Sequence, residues 1–214
     1  MTKRKISVVS MLKNAGPAIL SIFIALMVGS IVLLASKINP LTAYQALFYG
    51  AFGTLTYFCD TLGRATPIIF TGLAMGFAFR GGMFNIGAEG QLAAGAMFAA
   101  VVGYAVNLPL PIHLPLTIIA GMIGGGLWAL VPAILKAKKG VHEVISTIMM
   151  NYTAIYVGGF LSERLMRDDI PQTPSILDSA VLIKLKHIIP AIGNSNLNVG
   201  FFLAIFCAII MYIV

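Results

Sequence analysis

Charge is what this sequence has least of. Of its 214 residues, 14 are Lys or Arg and 7 are Asp or Glu, about 10% in all, where a soluble domain carries about a quarter. Hydrophobic residues make up 59% and the mean hydropathy is +0.95. A chain this short has no interior large enough to hide that much apolar surface from water, so its solvent is lipid, and the water-soluble globular class is excluded. Acidic residues are the scarcer sign, which leaves a net charge of +7. On a soluble chain that excess would suggest nucleic acid. Here the basic residues cluster at the ends of apolar runs, which reads as topology control and attraction to headgroups, with no nucleic-acid role. Only two cysteines occur, Cys59 and Cys207, both in or beside apolar runs. They define neither a metal site nor a disulfide framework. GxxxxGK[ST], HExxH, nucleophile-elbow and CxxC patterns are all missing, and His142 has no partner at useful spacing. The chain is therefore not read as an enzyme, no bound cofactor is expected, and any energy source must sit elsewhere.

What is present is a series of apolar runs. A spanning helix needs about 20 mainly apolar residues. The runs that qualify are 17–36, 61–79, 84–106, 114–135, 142–161 and 198–214, an all-α polytopic bundle within one domain covering 1–214. The basic N-terminus followed by an apolar run resembles a signal peptide, but the run is long enough to span and no small-x-small cleavage site follows it. It reads as an uncleaved first helix. The stretch from Asn39 to Thr56 is apolar but short and reads as an interfacial or re-entrant helix on the outer face; a seventh span merged with its neighbour is the other reading. The last run stops in FFLAIFCAIIMYIV without a polar flank, as expected of a chain cut within its sixth span.

Orientation follows from Lys and Arg in short loops. With the N-terminus inside, the inner side holds Lys3, Arg4, Lys5, Lys13, Arg80, Lys136, Lys138 and Lys139. The outer side holds Lys37, Arg164, Arg167, Lys184 and Lys186, with Arg64 near that boundary. The loop from Ser162 to Asn198, with Pro171, Pro174 and Pro190, is long and weighs less.

Two polar stretches interrupt the apolar pattern. In RGGMFNIGAEGQ, a break at Arg80–Gly82 precedes Asn85, Glu89 and Gln91. Asn85 and Glu89 are four apart, which predicts one helix face, with Gln91 off it. A carboxylate at membrane depth costs a few kcal/mol, so one reading is a broken half-helix lining a path. The other is an ordinary turn with Glu89 in a solvated first helical turn. In GVHEVISTIMMNY, Glu143, Thr147 and Asn151 form a stripe at spacing four, with Ser146 at its edge. Glu143 suits a helix N-terminus. The stripe either packs by hydrogen bonds or faces a polar path. Gly121 and Gly125 form a GxxxG pair that favours close helix packing.

The segments GRATPIIFTGLAMGFAFRGGMFNIGAEGQLAAGA and KGVHEVISTIMMNY, with NPLTAYQALFYGAFG before them, closely resemble the permease subunit of bacterial ABC importers for nucleosides and simple sugars, in the branched-chain amino acid and ribose permease superfamily. The resemblance runs from about Ile38 onward. It implies the helical type II importer fold, with more helices than this chain holds. It also implies a second permease subunit, identical or paralogous, cytoplasmic ATPases that carry the ATP, and an extracellular substrate-binding lipoprotein. The setting it implies is a multi-pass protein of the bacterial cell membrane, its N-terminus cytoplasmic, moving a small polar solute. Asn85, Glu89 and Gln91 match the family's third-span motif; Glu143, Ser146, Thr147 and Asn151 match its fifth. The family's ATPase-docking segment has no counterpart here. A proton-coupled secondary transporter, with Glu89 as the carboxylate, is the alternative.

Overall fold

The structure is a computed structural model that describes residues 8–165 and 172–213, with side chains from residue 16. Lys3, Arg4, Lys5, Arg167, Pro171 and Val214 lie outside the described residues. Among the described residues, seven α-helices follow one another: α1 Val8–Ala35, α2 Pro40–Phe52, α3 Leu55–Arg80, α4 Ala88–Ala105, α5 Leu110–Lys139, α6 Glu143–Leu165 and α7 Gly200–Ile213. Among the described residues there is no strand, only an isolated bridge between Lys184 and Asn198. The all-α membrane bundle expected from composition is what forms. Among the described residues, four helices are long and apolar enough to cross a bilayer: α1 over Gly16–Ala35, α3, α5 and α6. Two of the six expected spans differ. The third, α4, has 18 residues and begins with Glu89 and Gln91 in its first turns, so it is not among the four. The sixth, α7, is a shorter apolar helix of 14 residues.

The chain divides into two compact units, one up to Phe58 and one from Cys59. In the first, Asn39 caps α2 by accepting the Leu41 N–H (3.0 Å), with Pro40 supplying the fixed φ of a first helical position. The helix stops at Gly53, and the Thr54 hydroxyl accepts the Tyr57 N–H (3.2 Å) to start the next. That break explains why α3 begins at Leu55, six residues before the apolar run suggests. It also makes α2 a separate helix of 13 residues, about 20 Å long and short of the hydrocarbon thickness. Tyr44 folds α2 back on α1: its hydroxyl donates to Leu26 O (2.7 Å), and a Cβ on Gly29 would lie 2.8 Å from that oxygen.

In the second unit, α4, α5 and α6 pack closely around small residues; Ala94 and Ala154 are fully buried. A Cβ on Gly95 would stand 2.8 Å from Gly121 O, and one on Gly125 would stand 3.1 Å from Gln91 O. Gly121 and Gly125 thus sit where the α4 and α5 backbones nearly touch, so dispersion contacts replace a hydrophobic drive that lipid does not supply. Gly140, in the left-handed region at φ 64°, ends α5 by donating to Leu135 O and Lys136 O. Large apolar side chains such as Ile19, Phe23, Ile31, Met122 and Tyr156 are exposed, as a lipid-facing surface requires.

Gly95→Ala in the intact permease should lower its stability by about 1–3 kcal/mol, because the added methyl meets backbone rather than a yielding side chain. Gly126→Ala, with nothing within 4 Å of the new methyl, should be neutral or slightly stabilising. Thermal unfolding of the purified protein in detergent checks both; equal midpoints for the two variants would remove the glycines from the packing argument.

Candidate functional site

The polar stretch after α3 is shaped by its backbone first. Gly81, Gly82 and Met83 donate to Phe77, Phe79 and Ala78 carbonyls, with Gly82 at φ 74°. This is the left-handed exit that glycine allows without strain. Phe79 and Phe84 then meet edge to face at 4.6 Å, which turns the chain back on itself.

Asn85 lies outside the helix, and this corrects the expectation that it shares a helical face with Glu89. Its Oδ1 accepts the Gly87 N–H (2.8 Å), a local turn that competes with helix. The helix starts only at Ala88. Asn85 instead pairs with Gln91, the residue expected off the face: Nδ2 donates to Gln91 Oε1 (3.3 Å) and Gln91 Nε2 donates back to Asn85 Oδ1 (3.2 Å). Glu89 is exposed, and its carboxylate has no partner among the described residues.

The α6 stripe meets this turn directly. Asn151 Oδ1 accepts the Gly90 N–H (2.8 Å) while its Nδ2 donates to Ile86 O (3.0 Å). The first N–H groups of a helix have no partner within it; here a side chain 61 residues away supplies one. Glycine makes room for the approach. A Cβ on Gly90 would lie 2.9 Å from Asn151 Cα, and one on Gly87 would lie 3.1 Å from Thr147 Cβ. Ser146 and Thr147 are buried, and their hydroxyls return to the backbone of α6, at Glu143 O (3.1 Å) and Val144 O (3.2 Å). Glu143 pairs with Lys136 at the end of α5, joining the carboxylate of one helix start to the cation of the preceding helix end. Trp128 Nε1 adds a bond to Met150 O (3.0 Å). The two motifs therefore come together, and six of their seven residues use their polar atoms on one another, on the protein backbone or on Lys136. Glu89 is the seventh.

Sequence reasoning missed His113. It is fully buried in α5, with Nδ1 2.7 Å from Ser179 Oγ and Nε2 3.1 Å from Val102 O. A carbonyl only accepts, so Nε2 donates to Val102 O, while Nδ1 shares a hydrogen bond with the serine hydroxyl, which can donate or accept. The available signal was a histidine inside the apolar run LPIHLPL, since a polar ring at that depth needs partners.

Residues 57–214 match the family described as the branched-chain amino acid transport system permease component. The chain belongs to this permease family. It is 40% identical over 196 residues to the guanosine ABC transporter permease protein NupP of Bacillus subtilis, covering 92% of this chain and 56% of that protein. It is 32% identical over 207 residues to the glucose ABC transporter permease protein TsgB13 of Haloferax volcanii, covering 93% and 54%. It is 30% identical over 204 residues to the nucleoside ABC transporter permease protein NupB of Lactococcus lactis, covering 92% and 56%. The permease chain thus spans about half the length of the curated relatives it matches. No solved structure matches it.

Asn151→Ala in the intact permease should cost about 1–2 kcal/mol, since it leaves the Gly90 N–H and Ile86 O without partners at a helix start. Asn85→Ala and Gln91→Ala should each destabilise, and the double variant should cost less than their sum. Additive losses in the double-mutant cycle, read from thermal midpoints, would mean that the two amides do not act as a pair.

Proposed function

We propose that this chain belongs to a permease subunit of an ABC importer for a nucleoside, with a simple sugar as the second choice of solute. The observation that carries this reading is the joint between α4 and α6, set in a chain whose relatives are named as guanosine, nucleoside and glucose permeases. Two of those three names specify nucleosides, which favours a ribosyl solute. The partners that complete the machine are a second permease subunit, cytoplasmic ATPases that bind and hydrolyse ATP, and an extracellular substrate-binding lipoprotein. The setting is the bacterial cell membrane. The N-terminus is cytoplasmic on the strength of the cations around Lys136–Lys139, which anchor that end of the bundle.

Within the site, roles divide by what each polar group already touches. Asn85, Gln91 and Asn151 hold the broken start of α4 against α6, with Ser146 and Thr147 filling the seam and Glu143 fixing the α5–α6 turn. Glu89 is the residue for the solute path. Its carboxylate is an acceptor on every lone pair, suited to ribose hydroxyls and base N–H donors. It stands at a helix start, where a negative charge is tolerated.

Uptake by the full transporter in proteoliposomes should require ATP hydrolysis and persist when the proton gradient is collapsed. The opposite dependence would favour a proton-coupled transporter. Glu89→Ala should lower stability by no more than about 1 kcal/mol, the loss of a charge at a helix start, and reduce uptake by about tenfold, the scale of one lost charge-assisted hydrogen bond. Asn151→Ala should reduce both stability and uptake. Full uptake by a stable Glu89→Ala protein would take that residue out of the path.

A further inference from the structure

The segment after α6 reads in sequence as a loop, yet over residues 176–199 it is fastened at two places, to helices that do not otherwise meet closely. Its first part sits on α4 and α5. Leu177 N donates to Gly103 O (2.9 Å), and a Cβ on Gly103 would touch Ile176 (3.1 Å) and Ala180 (3.5 Å). Ser179 closes on the buried His113. Its second part folds on itself: Leu185 N donates to Leu197 O (2.8 Å) and Val199 N to Ile183 O (3.2 Å), with Ser195 fully buried beneath. That folded piece sits on α3. Leu185, Ile192 and Leu197 pack with Cys59 and Leu62. Asp60 Oδ1 accepts the Asn196 N–H (2.7 Å), and a Cβ on Gly63 would stand 3.4 Å from Leu197 Cα.

Among the described residues, the backbone of α3 does not come within 8 Å, Cα to Cα, of α4, α5 or α6, and neither does that of α7. α3 and α7 face each other across an apolar groove lined by Phe70, Phe77 and Ile210, and Arg80 Nη1 donates to Met211 O (2.9 Å) at its far end. The fastened segment is therefore a second close mechanical link between the α4–α6 bundle and α3, beside the 81–87 turn that joins α3 to α4.

We propose that residues 176–199 act as a coupling strap, with His113 and Asp60 as positioning residues that fasten it to α5 and to α3. A load placed on the strap then displaces α3 relative to α4–α6 instead of being absorbed by a slack loop. Both fastenings are short, directional hydrogen bonds beside apolar contacts, so each holds one geometry. This rests on the importer reading, in which the substrate-binding protein docks at the strap end. Coupling between two sites is carried through packed elements with discrete arrangements.

The test uses the complete transporter, with both permeases, ATPases and binding protein, in proteoliposomes. Three quantities are read: basal ATP hydrolysis, affinity for the solute-loaded binding protein, and stimulation of hydrolysis by it. His113→Ala and Asp60→Ala should leave the first two unchanged and lower the stimulation by about tenfold, within the usual range of a coupling energy. Asp60→Asn keeps an acceptor for Asn196 and should retain stimulation. His113→Asn keeps an oxygen near the place of Nδ1 and should retain more than His113→Ala. Undiminished stimulation in both alanine variants overturns the strap, as does an equal loss in Asp60→Asn and Asp60→Ala. If His113→Ala fails to accumulate, the Asp60 pair alone decides. Absence of ATP-dependent uptake by the unmodified transporter would instead sink the importer reading, a separate outcome.

Discussion

The amide of Asn151 holds the Gly90 N–H in the first turn of α4 and the Ile86 carbonyl just before that helix, and the polar joint is built on that contact. A helix start inside a membrane protein exposes N–H groups that water does not reach freely and lipid cannot satisfy. Asn151 satisfies Gly90 N–H and Ile86 O with one side chain. Only an amide offers a donor and an acceptor at that spacing. Glycine at 87 and 90 follows from the same contact, because any side chain there would push Thr147 and Asn151 away. The small-residue seam between α4 and α5 continues the same logic one helix further, with Gly95 against Gly121.

How much of this was legible in the sequence depends on the range of the interaction. Hydropathy located the runs that became α1, α3, α5 and α6, since crossing lipid is a property of each segment alone. The break at Gly53–Thr54 was legible as a short segment, Asn39 to Thr56, although the point where α3 starts was not. The face assigned to Asn85 and Glu89 differed from the structure for a specific reason. Spacing of four has meaning only inside a helix, and the Asn85 side chain takes the Gly87 N–H and delays the helix to Ala88. The Asn85–Gln91 pair is six apart and belongs to no regular period. On α6 the spacing argument worked, because Glu143, Thr147 and Asn151 all lie within one unbroken helix.

The segment from 176 to 199 shows the same limit from the other side. Its composition is mixed and Pro190 breaks it, which suggests a slack connection, yet Leu185, Ile192 and Leu197 are buried. None of that is periodic, because Leu185 and Ile192 sit in separate 3₁₀ turns and Leu197 in irregular chain, not in a helix or a strand. Its partners His113, Asp60 and Cys59 are distant in sequence, so nothing local marks them. A buried histidine between Ser179 and Val102 O is the clearest sign that the segment is part of the packed structure.

Polar residues in a membrane protein carry a cost that packing or function must offset. Asn85, Gln91 and Asn151 meet it through reciprocal amide bonds, Ser146 and Thr147 through their own helix backbone, and Glu143 through Lys136. Each of those arrangements is complete in the chain itself, so each is explained by the fold. Glu89 has no such arrangement: it stands in the same turn, exposed, with no partner among the described residues. A carboxylate in the first turn of a helix is favoured by the unpaired N–H groups there and needs no side-chain partner. The bonds of this chain therefore account for six of the seven polar residues, and the favourable field of a helix start accounts for an exposed carboxylate at the seventh.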